Sequence, residues 1–380
     1  MNITVNRLPD LTWNRLGMNY GVIRDADNLL RQAAGIDTAQ EGLEAGVSHR
    51  RIGRDEAQRI LDAAPEQVPE KIVAGKLPIY HAQRFATGLG GDYDGFVAGL
   101  GLDTELLEVA AGARPEAPVL WHVDFYDSSC AVTQQLIHVG KNASLTLIMD
   151  YSSAPEAGGF TGISTKVILE DGARLHLSKV QMLGQGYLHA DDLGASLGTG
   201  AELIFNQLEL GGEDVYAGAQ VEQIGDKSRF TGRLAYLTRR KGSIDITYNA
   251  VQRGRKTESD MSFDGVLYDS ARKIWRGTID FRNGSAGSVG HENENVLMLS
   301  EDAENKSMPL ILCEEEDVEG QHGSSIGRLA DDILFYFGTR GIDERAAEEM
   351  MVDARIGTVT REIPDSAVQE RIGSFLQRTV

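Results

Sequence analysis

Between Val119 and about His322 apolar and polar residues alternate with the two-residue period of β-strands, and glycines recur between the alternating runs. Four segments repeat one pattern: GKNASLTLIMDY (Gly140–Tyr151), EDGARLHLSKV (Glu170–Val180), GTGAELIFNQL (Gly198–Leu208) and GDKSRFTGRLAYL (Gly225–Leu237). Each has a Gly-containing turn, a small residue, one polar spacer and then an apolar residue. The spacers are Ser144, Arg174, Glu202 and Arg229, and the apolar positions are Leu145, Leu175, Leu203 and Phe230. Successive apolar positions lie 30, 28 and 27 residues apart. A β-type repeat of this period predicts a solenoid, because one turn cannot bury its apolar face and stacked turns share a core. The small drift in period fits corners of varying length around an aligned interior. A sandwich of hairpins would need tight turns at short, regular spacing. Asp171-Gly172, Asp264-Gly265 and Asn283-Gly284 occur only at irregular intervals. The pattern therefore predicts a mainly β protein built on a parallel β-helix, with Leu145, Leu175, Leu203 and Phe230 facing inward.

The flanks read differently. Asp27 to Ala111 is polar and helix-like: Ile60, Leu61 and Ala64 share a face interrupted at Pro65 and Pro69, and DTELLEVAAG (Asp103–Gly112) predicts another short helix. Pro115 and Pro118 punctuate the chain. After Gly327 the period becomes helical, with three amphipathic segments. The first carries Leu329, Ile333, Leu334 and Phe337 and stops at Gly338 or Gly341. The second starts at an Asp343 cap with a stripe of Ala346, Ala347, Met350, Met351 and Ala354, and the third presents Val368, Ile372, Phe375 and Leu376. The predicted organisation is a mostly helical region 1–118, a β-helix core 119–327 and a helical region 328–380.

Charge narrows the function. The 380 residues carry a formal net charge of −20, which repels phosphate backbones and anionic membrane surfaces. No run approaches the roughly 20 apolar residues of a membrane helix, and the first residues, without a continuous apolar core or a small-residue cleavage site, do not read as a signal peptide. Cys130 and Cys313 are the two cysteines, too few for a disulfide framework. These features predict a cytoplasmic protein without nucleic-acid or membrane partners.

Candidate chemistry is sparse. No phosphate-binding loop G-x-x-x-x-G-K-[ST] occurs, so no intrinsic ATPase is expected. G-x-S-x-G appears at Gly194–Gly198 and Gly323–Gly327, but an esterase elbow needs an alternating β/α sheet around it, and 43 glycines make chance matches common. His291-Glu292 lacks the second histidine of a zinc-protease motif. The segment CEEEDVEGQHGSSIGRL (Cys313–Leu329) combines thiol, carboxylates and imidazole, the donor types that bind iron. Within it, Cys313 follows Leu310, Ile311 and Leu312 and reads as a buried strand residue. His322 reads either as a turn histidine or as a metal contact. A carbohydrate-active enzyme on a β-helix is the competing class, but the groove of carboxylates and basic residues it would need is not visible.

The C-terminal motifs EDVEGQHGSSIGRL (Glu316–Leu329), LFYFGTRGI (Leu334–Ile342) and Ile363-Pro364, with FDGVLY (Phe263–Tyr268) and GTIDF (Gly277–Phe281) before them, resemble the SufB/SufD family of iron–sulfur cluster assembly proteins. The resemblance runs from about Val119 to the C-terminus. It implies a right-handed parallel β-helix core, C-terminal helices that dock a SufC-type ABC ATPase, and pairing with a SufB-like chain or with itself. It implies a non-catalytic subunit without an intrinsic cofactor, where iron or a cluster is handled transiently at a subunit interface. A purely structural partner without metal is the other reading within that frame. His322-Gly323 matches the SufD-like form, which makes His322 the candidate metal ligand. The SufD-type cysteine falls on Gly320, so that thiol is absent; Cys313, seven residues earlier, is an alternative ligand that matches no family position.

Overall fold

A computed structural model describes residues 1–379 except 11, 13, 30–35, 65–84 and 127–129. The expected helix break at Pro65 and Pro69 lies outside the described residues. Two nine-stranded sheets face each other, and the chain passes from one to the other at every half-turn. The first runs from Val119–Phe125 through Ser144–Ser153, Arg174–Met182, Glu202–Glu209, Arg229–Thr238, Glu258–Leu267 and Ser288–Met298 to Val318–Gly327. The second runs from Thr104–Val109 through Cys130–Val139, Gly158–Leu169, Gly186–Leu197, Asp214–Gln223, Ser243–Gln252 and Arg272–Phe281 to Glu304–Cys313. Neighbouring strands among these are parallel, as a β-solenoid requires.

The repeat is the register. Leu145, Leu175, Leu203 and Phe230 sit beside one another in one column, all buried, and their spacers form the adjacent column at the corner. One residue earlier again lie Ala143, Ala173, Ala201 and Ser228, and in the next turn Thr257, also buried. Before them Asn142, Gly172, Gly200, Lys227 and Lys256 take φ between 55° and 68°. This left-handed corner is why glycine recurs in the repeat and why asparagine can replace it. Farther inside, Phe205, Tyr248, Phe263 and Trp275 follow one another with ring centroids 4.8–5.9 Å apart.

The two ends of the stack differ. At the N-terminal end Ile36–Glu41 pairs antiparallel with Val119–Phe125, and Val47–Ile52 pairs antiparallel with Thr104–Val109, so each sheet is finished by a reversed strand. At the other end no described strand follows Glu304–Cys313 or Val318–Gly327, and their outer backbone edges are open.

Thr104–Val109 corrects the helix expected at Asp103–Gly112. Leu107 and Val109 enter the solenoid core while Leu106 faces the helix Arg54–Asp62 outside. Burial on both faces removes the alternation that marks a strand, and parallel pairing with Gln135–Val139 outweighs local helix preference. The N-terminal region is accordingly mixed, with helices at Arg54–Asp62 and Gly91–Gly99 among short strands. Its first residues lie against the second sheet, where Asn6 donates to Asp245 at 2.8 Å, and buried Arg276 pairs with Asp245 and donates to the Met18 carbonyl.

Helices Glu344–Thr360 and Ser366–Thr379 cover the outer face of the first sheet. Val352, Ile356, Val359, Val368, Ile372, Phe375 and Leu376 pack on Ile148, Val180, Leu208, Ala235, Val266 and Leu297. Asp343 caps the first of these helices, accepting from the Ala346 amide at 2.9 Å. The third expected stripe is fully buried, but the second is shifted: Ala347 is buried, Met350 and Ala354 are exposed, and the seam continues through Val352, Ile356 and Val359. The first expected stripe packs least. Helix Asp331–Gly338 buries no residue, and Ile333, Phe335 and Tyr336 are 41%, 74% and 54% exposed.

Candidate functional site

The last turn of the solenoid carries both candidate residues. Side chains alternate between the two faces of a strand, so buried Gly290, Glu292, Glu294 and Val296 define the inward face of Ser288–Met298. Their register partners Gly320, His322, Ser324 and Ile326 belong to the same face one turn later. Opposite them, Cys313 continues the column of buried Phe281, and Ile311 that of Ile279. His322 and Cys313 both lie on the inner rim of the open end, and both are exposed. The expected burial of Cys313 is corrected for one reason: its column is apolar, but no further turn covers it.

The rim does not bring the two together. A Cβ built at Gly320 would lie 2.9 Å from Ile311 and 3.1 Å from Phe281, so Gly320 faces Ile311 across the interior. Cys313 therefore sits near the turn and His322 farther along, separated by roughly 10 Å or more of strand. The same contacts show that the space behind Gly320, where a SufD-type thiol would start, is filled by Ile311 and Phe281.

The acidic run has a structural task. Glu315 accepts from the amides of Gly284 (3.1 Å) and Glu316 (3.0 Å), which with Asp317 hold its carboxyl below the usual range. Glu314 pairs with Arg282 at 3.2 Å, and the Asp317 carbonyl accepts from the Gly287 amide. The Glu314 and Glu315 carboxylates tie the last corner to the one before it, and these bonds do not direct them toward His322.

Beneath the rim lies a buried polar layer that sequence reasoning missed. Lys273 and Glu294 form a fully buried ion pair, Ser324 donates to Glu294 at 3.1 Å, and the Lys273 ammonium sits 5.5 Å from the Trp275 ring centroid. Burial holds Lys273 well below its usual pKa. Glu292, the register neighbour of His322, is 2% exposed and neither carboxyl oxygen has a hydrogen-bond partner. Its Oε2 lies only 2.4 Å from where a Cβ on Gly277 would stand, so glycine makes room for it. Burial raises the Glu292 pKa from 4.5 to about 8. Because the folded-state value lies above the unfolded one, the folded chain retains this proton between the two, and stability falls as pH rises from about 4.5 through about 8. Glu292→Gln should remove that dependence, gaining on the order of 3–5 kcal/mol over wild type at pH 9 and little at pH 5. Melting curves of both proteins across this range test it; parallel curves would show that the carboxyl is solvated. The signal was present in the strand pattern, since Glu292 and Glu294 fall on the inward parity of Gly290 and Val296.

The remaining motifs resolve simply. Ser196 is buried within Gly186–Leu197, and Ser325 lies within Val318–Gly327, so neither G-x-S-x-G forms a strand-to-helix elbow. His291 is exposed on the outward face of its strand. No helix among the described residues is long and apolar enough to cross a membrane.

Comparison with known proteins agrees with the fold. Residues 125–355 match the family model described as "SUF system FeS cluster assembly, SufBD core domain". The iron–sulfur cluster assembly protein SufD of Bacillus subtilis is 26% identical over 278 residues, covering 72% of this chain and 63% of that protein. SufD of Escherichia coli is 22% identical over 277 residues, covering 70% and 64%. A SufBD family protein of Mycobacterium tuberculosis is 24% identical over 228 residues, covering 58% and 57%. The chain thus spans less than two thirds of the length of these relatives. The family match spans more than half of the chain and includes the strands that carry His322, Cys313 and the buried layer behind them, and the chain belongs to the SufBD core family, in which it is SufD-like.

Proposed function

We propose that this chain is a non-catalytic, SufD-like component of an iron–sulfur cluster assembly scaffold. The observation that carries the reading is the open last turn. No described strand pairs with its outer edges, its inner rim presents His322, and it falls within the region matched by the family. A second solenoid of the same kind, either a SufB-like chain or another copy, continues the stack there through backbone pairing. His322 then lies at the junction, where a neutral imidazole is a competent ligand for iron or a cluster passing through as cargo. Residues 328–380 dock a SufC-type ABC ATPase, and the assembly works in the cytoplasm.

Anaerobic co-purification from native extract, with the associated chains identified, tests the pairing; recovery of this chain alone would overturn it. In a reconstituted assembly His322→Ala should lower cluster yield severalfold while the melting temperature stays within a degree or two, because the side chain is exposed. Cys313→Ala should leave yield and stability close to wild type. The reverse ranking would move the ligand to Cys313, and no effect from either would leave a structural partner without metal.

A further inference from the structure

Midway along the solenoid interior, on the fifth strand from the open end of each sheet, His189 and Asp191 of the second sheet converge with Glu209 of the first. They are 0%, 1% and 1% exposed. His189 Nε2 lies 3.7 Å from Glu209 Oε2 and 4.0 Å from Asp191 Oδ2, and all three atoms fall within 4.8 Å of one another. None of the three has a hydrogen-bond partner. The other polar atom of each side chain is held. Thr161 Oγ1 is 2.6 Å from His189 Nδ1, the Lys179 ammonium pairs with Asp191 Oδ1, and Gln207 donates to Glu209 Oε1 at 2.7 Å.

This arrangement differs from an ordinary buried ion pair. Outer groups orient each ligand, and the atoms left over converge on one point without a hydrogen bond to each other or to any other described group. A His189 tautomer that donates from Nδ1 to Thr161 leaves Nε2 with a free lone pair. Both separations from Nε2 are too long for a proton to bridge as a hydrogen bond. A point equidistant from the three atoms lies at most about 2.5 Å from each, so a modest contraction reaches the 2.0–2.2 Å of nitrogen and carboxylate ligation. Among the described residues no other group of three or more His, Cys, Asp or Glu side chains meets in this way.

We infer that His189, Asp191 and Glu209 form an internal site for one first-row divalent cation. One imidazole nitrogen and two carboxylate oxygens, without a thiolate, select a borderline ion such as Zn²⁺ or Fe²⁺ over soft Cu⁺ and over all-oxygen Mg²⁺ or Ca²⁺ sites. Lys179 pairs with Asp191, and burial pushes the Glu209 carboxyl well above its usual range, so an entering ion would displace the Glu209 proton. The site is independent of His322: it lies on different strands and is closed to solvent, so the ion enters while the chain folds.

The test uses the full chain, produced or refolded with Zn²⁺ and, anaerobically, with Fe²⁺, then dialysed against a chelator that strips surface ions. Metal analysis should find about one equivalent per wild-type chain. The near-isosteric Glu209→Gln and the smaller His189→Ala should each fall at least fivefold, whereas His322→Ala should retain the metal. Because His189→Ala opens a cavity, refolding wild type with Co²⁺ gives a second readout: visible d–d bands with an intensity typical of nitrogen–oxygen coordination, absent in Glu209→Gln. Wild type that stays metal-free after refolding in excess Zn²⁺ and Fe²⁺, or metal content unchanged in folded Glu209→Gln, would overturn the site.

Discussion

Leu175→Asp should abolish the native fold, while Arg174→Ala, one residue away, should be nearly silent. Leu175 is 1% exposed at the centre of the column formed by Leu145, Leu203 and Phe230, with an apolar neighbour on each adjoining strand. Aspartate there loses the packing of the leucine and leaves a carboxyl without a donor inside the solenoid. The cost is at least about 4 kcal/mol, a large fraction of the 5–15 kcal/mol that holds a domain together. Parallel stacking makes it worse, because a turn that fails exposes the inner faces of both neighbours. Arg174 projects outward beside Glu202, an exposed ion pair at 3.4 Å, where the expected change is within about 0.5 kcal/mol. Expression, solubility and thermal melts of the two variants settle the register, and similar behaviour would overturn it.

The second large effect is expected at helix Asp331–Gly338. Removing the whole C-terminal region would strip Ile148, Val180, Leu208, Ala235, Val266 and Leu297 of their cover, so truncation would report on solubility rather than docking. The first helix can be altered alone. Phe335 and Tyr336 project into solvent, with the Arg340 guanidinium 3.7 Å from the Tyr336 ring centroid. Exposed aromatics of this kind form the anchors of protein interfaces. The double variant Phe335→Ser, Tyr336→Ser should weaken retention of a SufC-type ATPase about a hundredfold, on the order of 3 kcal/mol. Its melting temperature should stay within a degree or two of wild type. A pull-down with undiminished ATPase would place the docking surface elsewhere.

Legibility in the sequence followed how each residue is covered. The column Leu145, Leu175, Leu203 and Phe230 could be read because both its neighbours and its spacers obey a period-two rule, and the structure pairs them strand by strand. The third C-terminal stripe could be read because Val368, Ile372, Phe375 and Leu376 face one sheet. Thr104–Val109 could not, since it is covered on both sides and offers no alternation. Cys313 was misread because its apolar approach is that of a core strand, and only the position of the last turn exposes it. The buried polar groups run against the general tendency of charged side chains to stay at the surface. Lys179 continues the inward parity of Leu175 and Leu177, and Glu209 that of Leu203, Phe205 and Gln207, so the pattern itself located them inside. What a sequence does not reveal is which charged side chains meet across the interior; that depends on how strands of the two opposing sheets, such as Gly186–Leu197 and Glu202–Glu209, face each other.

The reversed strands at the N-terminal end have a consequence for assembly size. A solenoid with two exposed edges could add subunits head to tail without limit and grow into filaments. Here Ile36–Glu41 and Val47–Ile52 finish one end with strands of reversed direction, so the ladder presented there differs from the one presented by Glu304–Cys313 and Val318–Gly327. The two ends are therefore not interchangeable as docking edges. In the pairing proposed above, two open ends meeting face to face would consume each other's edges, which would favour a closed pair over an open head-to-tail filament.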